Sequence, residues 1–359
     1  MSSPPQNAST EIELLPRRIS TCRLPLNLQE DDLRLFSHEL KTTLAPARLI
    51  EMHNVSISSD GYLFQGTRIL PESFAFPFLQ DDWKKRSVWK FFAVNYLSRK
   101  RRPFESDALF ITDDWSTGYF HWLSDALPKL SLIRDRLKDL VLVLPHQLEG
   151  LEFVRSSLKP FGVENVLFLK EQEAIVCRRL FVATSVAPSG RYDQQVIRNV
   201  RDLIVNFYGG SSSPKDLIYL SRSKAPKRRI ANEDKVIGLL KNHGFRVVHG
   251  EDCSFEQQVQ IASAARCFVS NHGAGLTNIL FMNPGGNVLE LRHRADRTNN
   301  CYFALASAAG LNYFYQACET AGGDEDPHTA DIVVDVSTLK QNIETMLSFG
   351  AESSSLSTT

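Results

Sequence analysis

The sequence predicts an α/β protein built on parallel sheets and divided into two halves. Three observations carry this. From Ala108 onward, apolar runs of about five residues alternate with amphipathic stretches of ten or more. Glycine closes most of the amphipathic stretches, as helix ends require. The alternation pauses at GGSSSP, 209–214, and then starts again.

Residues 1–20 read as a polar tail, and GAESSSLSTT at the other end reads the same way. Between 45 and 80, ARLIEMHNVSIS and GYLFQGTRIL predict a β-hairpin turning at Ser59, Asp60 and Gly61. KRSVWKFFAVNYLSRKRR is amphipathic and ends in the basic run Arg99–Arg102, which reads as a solvated face. DLVLVLP (139–145), VLFLK (166–170) and RRLFVATS (178–185) predict strands. LEFVRSSLKPFG (151–162) and DQQVIRNVRDLIVNFYG (193–209) predict helices.

In the second half, DLIYLSR, FRVVHG, CFVS, NVLEL and NYFYQA predict strands. The helices between them are expected at 232–244, with Asn232 as N-cap, and from Ser254, with Gln257 completing a capping box. Further helices are expected at GLTNILFM, at CYFALASAAG and, capped by Ser337, at DVSTLKQNIETMLSFG. The expected division is a tail at 1–20, a first α/β domain at 21–208, a second at 209–334, and a closing helix and tail at 335–359.

The chain has 359 residues, of which 43% are hydrophobic, enough for a sizeable core. Lys plus Arg and Asp plus Glu both number 41, so no global field favours nucleic acid, and any anion site must be local. No apolar run reaches the ~18 residues of a spanning helix, and the start of the chain lacks the pattern of a secretion signal. The expectation is a cytoplasmic protein with reduced thiols at its six cysteines and with unused sequons at Asn7 and Asn54. Peripheral association is the one membrane role left open.

Two stretches carry chemistry. In CFVSNHGAGLTNILF, a strand, a glycine loop and a helix follow one another. Gly273 and Gly275 allow close approach to backbone amides, and a helix start favours an anion. The pattern is neither a Walker loop nor GxGxxG. His272 is placed to donate to a phosphate. Glu290 ends the next strand, where a carboxylate can accept the hydroxyls of a ribose. Arg222, Arg228 and Arg229 follow another strand end, and the planar guanidinium suits phosphate oxygens.

The other stretch is GYFHWLSDALPKL, 118–130. On a helix, Tyr119, Phe120, Leu123 and Leu127 share one face. His121 and Asp125 form an i,i+4 pair on the opposite side. A carboxylate beside an imidazole can orient it and make it a general base. Pro128 is expected to start a second helical piece. Zinc is disfavoured, because no third ligand stands at a suitable spacing. Asp113 and Asp114 read as helix-capping residues.

GYFHWLSDALPKL, YLSRSKAPKRRIANE and FEQQVQIASAARCFVSNHGAGLTNILFMNPGGNVLEL, in that order, resemble glycosyltransferase family 61 over about 108–315. The resemblance implies a GT-B architecture, two Rossmann-like domains facing across a cleft. It implies inverting transfer from a nucleotide sugar, usually a UDP-sugar, to a glycan or polysaccharide acceptor, with no metal cofactor. It places donor binding at Arg222, Arg228, His272, Gly273, Ala274, Gly275, Leu276, Thr277, Asn278 and Glu290, and catalysis at Asp125 and His121, with Asp125 the favoured base. Without an anchor, the chain is similar to soluble bacterial members rather than to the anchored eukaryotic ones. A non-catalytic nucleotide-sugar binder is the alternative, and a nicotinamide-dependent oxidoreductase is a second one that expects a third loop glycine.

Overall fold

A computed structural model of the chain describes residues 10–76, 93, 99–322 and 326–349. Most of the amphipathic stretch before Arg99 lies outside the described residues.

The chain divides into two units, one made of 1–18 and 43–189, the other of 19–42 and 190–359. The division falls after Ser189, earlier in the chain than the glycine-rich 209–214 stretch. The long helix Gln194–Phe207 therefore belongs to the second unit. Its buried residues Val196, Ile197, Val200, Ile204 and Val205 follow the helical period, and Asp193 caps it by accepting from the Val196 amide.

In the first unit the strands are β1 (Thr10–Leu15), β2 (Ala47–Ser58), β3 (Leu63–Gln65), β4 (Arg68–Ile69) and β5 (Lys100–Phe104). β6 (Ala108–Phe110), β7 (Val141–Leu144), β8 (Val166–Phe168) and β9 (Glu173–Ala183) complete the set. They make one sheet in the order β8-β7-β6-β9-β2-β3-β4, with β1 on β2 and β5 on β9. β8, β7, β6 and β9 run parallel, while β2 lies antiparallel to β9 and to β3. The sheet is therefore mixed. Its buried side includes Val55, Ile57, Phe110, Val143, Ile175 and Val182.

One expectation is corrected here. Residues 10–15 are not a tail: β1 pairs antiparallel with β2, with Glu11 and Glu13 exposed and Ile12 and Leu14 partly covered. The basic run is exposed from Lys100 to Arg102, as a solvated face is. Lys100, Arg101 and Arg102 lie in β5, Arg99 pairs with Asp60 and Arg102 with Glu173.

The second unit carries β10 (Asp216–Ser221), β11 (Arg246–His249), β12 (Ala265–Asn271), β13 (Asn287–His293), β14 (Asn312–Thr320) and β15 (Ile332–Val333). Their order is β11-β10-β12-β13-β14-β15, parallel except for the last pair. Helices Glu233–Asn242, Phe255–Ala264, Cys301–Ala309 and Val336–Ser348 connect or follow the strands, close to the predicted ranges. Ser254 and Gln257 form the predicted capping box.

Other expected caps differ. Asn232 stands at the N-cap as expected but makes no side-chain cap bond; its side chain clamps the backbone of Val334 in both directions. The last helix is capped by Asp335, which accepts from the Thr338 amide, and Ser337 donates to Asp335. The segment after the glycine loop is a 3-10 helix, Ala274–Phe281, rather than an α-helix.

The strand order of the second unit is that of a doubly wound sheet. Connections run one way from β10 to β11 and the other way from β10 to β12. Such a reversal opens a crevice at the carboxyl ends of the two strands, where ligands bind. The parallel part of the first unit reverses likewise between β6 and β9. Each unit thus has one topologically marked place, and each holds one of the two sequence motifs.

Candidate functional site

In the first unit, the segment after β6 turns at Asp113, which accepts from the Trp115 amide and the Ser116 hydroxyl rather than capping a helix. The helix that follows starts at Tyr119–His121 and passes through a π-turn at Trp122–Ala126. It continues as Leu127–Leu132. Pro128 lacks an amide hydrogen, and the π-turn stands directly before it, where one residue of slack re-routes the helix bonds. Buried Trp122, Leu123, Ala126, Leu127 and Leu130 hold this helix down. So does Lys129, which is buried, donates to the Ile111 carbonyl and lies 3.5 Å from Asp113. Tyr119 and Phe120 are only partly buried, so the core face is set by Trp122 and its neighbours.

His121 and Asp125 meet as expected: Nδ1 donates to Asp125 Oδ2 at 2.8 Å, with side-chain exposures of 17% and 10%. Ser189, beyond the end of β9, donates to the same oxygen at 2.7 Å and lies 3.2 Å from Nδ1. Ser124 donates to Asp125 Oδ1. Trp115 and Phe120 meet the imidazole edge-on, each at 4.9 Å between ring centres. Asp125 thus accepts three hydrogen bonds. An imidazole that keeps its proton on Nδ1 carries its lone pair on Nε2. Sequence reasoning missed Ser189, because nothing local marks a serine 64 residues from its partner.

In the second unit, Arg222 follows β10 and His272–Gly275 follow β12, on the two sides of the reversal. A β-carbon on Gly273 would lie 2.9 Å from Arg222 Nε and closer still to its Cζ and one terminal nitrogen. Glycine is needed here because an arginine is laid on the loop. Gly273 is buried beneath it, Gly275 is half-buried and Ala274 is exposed. The amides of Ala274 and Gly275 stand at the start of the 3-10 helix, before its first internal bond.

Arg229 pairs with Asp331 and Lys224 with Asp252. Among the described residues, Arg222 and Arg228 have no carboxylate partner, and both Nε atoms are buried without a hydrogen bond. Burial, and next the charge of Arg228, lowers the hold of Arg222 on its proton below the ordinary guanidinium value. Arg228 also adopts a left-handed backbone, φ 57°, which costs a non-glycine residue energy. Two half-buried like charges held together call for an anion.

The remaining predicted donor residues sit elsewhere. Glu290 is 0% exposed. It accepts from His272 Nδ1 at 2.5 Å and from the Tyr313 hydroxyl. Burial pushes the carboxyl up, but the bond from His272, the Arg292 charge and the Tyr313 bond together hold it below the ordinary value. This places Glu290 behind His272, not against a ribose. His272 has both ring nitrogens engaged, the second accepting from Asn299 Nδ2 at 3.1 Å. Leu276, Thr277 and Asn278 are buried, and Asn278 donates to Gln258. They fix the loop from below.

Comparison with known proteins agrees with these motifs. Residues 119–289 match the model of the family described as Glycosyltransferase 61. The chain is similar to the mouse EGF domain-specific O-linked N-acetylglucosamine transferase, 34% identical over 109 residues, 28% of this chain and 20% of that protein. It is also similar to protein O-linked-mannose beta-1,4-N-acetylglucosaminyltransferase 2 of Takifugu rubripes, 37% identical over 107 residues, 28% and 18% of the two chains. The Drosophila melanogaster EGF domain-specific transferase is 32% identical over 100 residues, 27% and 19% of the two. The chain spans about a fifth of the length of these relatives. Both constellations begin inside the span 119–289 that matches the Glycosyltransferase 61 model.

Proposed function

We propose that the chain is an inverting glycosyltransferase that moves a sugar from a UDP-sugar to a glycan hydroxyl. The observation that carries the reading is the pair of arginines without a salt-bridge partner, Arg222 and Arg228, together with the glycine loop against which Arg222 lies at the reversal of the second sheet. In this reading the second unit takes the donor and the first supplies the base, the division of labour of the GT-B enzymes that the family resemblance implies.

The step is a single displacement. The acceptor oxygen forms a bond to the anomeric carbon as the bond to the diphosphate oxygen breaks. The acceptor proton passes to His121 Nε2. The leaving diphosphate keeps the electron pair and its charge is met by Arg222, Arg228 and the loop amides. Asp125 holds the imidazole in the Nδ1–H tautomer, so His121 rather than Asp125 is the base in this reading, because the Asp125 oxygens are already occupied.

N-acetylglucosamine is the first donor sugar to test, given the names of the relatives. The experiment is donor turnover with UDP-N-acetylglucosamine and other nucleotide sugars, followed as released nucleoside diphosphate. The expected result is turnover that falls about 10²–10⁴-fold in His121→Ala with nucleotide binding kept. Binding without turnover in the wild type would convert the reading to a non-catalytic nucleotide-sugar binder. Binding unaffected by Arg222→Ala would remove it.

A further inference from the structure

Of the acidic pair before the His121 helix, Asp113 is engaged in its own turn, whereas Asp114 caps no helix. Its Oδ1 accepts the Ala75 amide at 2.9 Å. The next side chain, Trp115, meets the next residue of that strip, Phe76, edge-on at 4.9 Å between ring centres. Consecutive side chains thus lie against consecutive residues, so Asp114 and Trp115 both face the strip 75–76. Trp115 also stands 4.9 Å from the His121 ring at 75°. The charge of His121 reaches the Asp114 carboxyl. All five residues belong to the first unit.

The two side chains leave specific groups open. Trp115 is 41% exposed although Phe76 and His121 pack on it. Among the described residues nothing accepts from its indole N–H. Asp114 is half-buried, and its Oδ2 accepts no hydrogen bond from another described residue. Burial pushes this carboxyl up against the Ala75 bond, and the charge of Asp113 adds to the rise. A large aromatic surface beside a base, flanked by one open donor and one open acceptor, is what a binding site presents.

We infer that Trp115 and Asp114 form the acceptor subsite of the first unit, and that it takes a neutral pyranose ring. The C–H face of a pyranose is weakly positive and matches the negative face of an indole. Its hydroxyl edge supplies a donor for Asp114 Oδ2 and an acceptor for the indole N–H. A ring stacked on Trp115 brings a hydroxyl beside His121, because the imidazole packs on the same indole. A uronate would set a second carboxylate against Asp114, which like-charge repulsion disfavours. A peptide serine has no ring face to stack. The inference rests on the reading of His121 as the base, and it specifies which groups hold the molecule that the base deprotonates.

The test is transfer kinetics at saturating donor. The acceptors are the methyl glycosides of glucose, galactose, mannose, xylose and N-acetylglucosamine, methyl glucuronide, and a blocked serine tripeptide. At least one neutral glycoside is expected to accept sugar, with the glucuronide and the peptide at least about tenfold poorer. Trp115→Ala is expected to raise the KM for that glycoside at least about tenfold, with calorimetric binding of UDP unchanged. Trp115→Phe, which keeps an aromatic face, should return the KM to within about threefold of the wild type. Preference for the peptide, bound donor with transfer to no glycoside, or a glycoside KM unchanged in Trp115→Ala overturns this inference and leaves the donor reading standing. If no nucleotide sugar is bound or turned over, both fall. The acceptor series and Asp114→Asn, which should narrow the margin over the glucuronide, decide the matter if Trp115→Ala does not fold.

Discussion

The guanidinium of Arg222 lies on Gly273, in the space where any other residue would have its β-carbon. The glycine therefore sets the position of the arginine. Gly273→Ala is expected to push Arg222 aside and raise the donor KM by roughly 10- to 100-fold, the scale of an ångström-level misplacement. Thermal stability should fall as well, because at φ 158° an L-residue is strained even once the guanidinium has moved aside. Initial-rate kinetics with a melting curve separate the two effects. An unchanged KM would show that Arg222 does not need that position.

Glu290 gives a pH prediction. Its folded carboxyl is held below the ordinary value of 4.5, first against burial and then by His272, Arg292 and Tyr313. A depressed carboxyl stabilises the fold fully above the ordinary value and loses that contribution as pH falls through the folded value. The melting temperature should therefore fall as pH is taken from 4.5 downward. Glu290→Gln keeps one of the two acceptor oxygens, turns an amide N–H toward the other donor, and cannot titrate. It should flatten the low-pH decline while lowering stability near neutrality, as read by melting curves across pH.

The final helix separates two capping assignments. Asp335 accepts the Thr338 amide and Ser337 merely donates to Asp335. Asp335→Ala should lower the melting temperature clearly more than Ser337→Ala. Equal losses would return the cap to Ser337.

Cation chemistry is the fourth case. If Arg222 and Arg228 meet the leaving-group charge, sugar transfer should be insensitive to chelator and sensitive to salt. Among the described residues no three His, Cys, Asp or Glu side chains come together to hold an ion. Turnover measured in excess EDTA and then with added Mg²⁺ or Mn²⁺ checks this. A loss restored by metal would overturn it.

Much of the second unit was legible because its strands are buried on both faces and its helices carry local stop signals. Apolar runs such as LIYL and VLEL allow no other placement, and the capping box at Ser254 is local. The pair His121–Asp125 was legible for the same reason, being one helical turn apart. What failed was non-local. β1 alternates as a strand should, but its partners are 32 to 41 residues away, and short polar alternation near a terminus looks like a tail. Ser189 belongs to Asp125 only through the neighbouring placement of β6 and β9. The role of Glu290 depended on which neighbours reach it, and Tyr313 comes from the next strand over. Periodicity suggests that the carboxylate ends a strand, whereas it stands in the middle of Asn287–His293, enclosed by a phenol and an imidazole.

That enclosure has an electrostatic result. A bare carboxylate near the loop would repel an arriving diphosphate. Here the negative charge faces His272 and Arg292 inside the protein. At the loop, Arg222 and Arg228 stand with Glu251 as the carboxylate that acts on Arg222, while the unit keeps the charge of Glu290 out of reach of solvent.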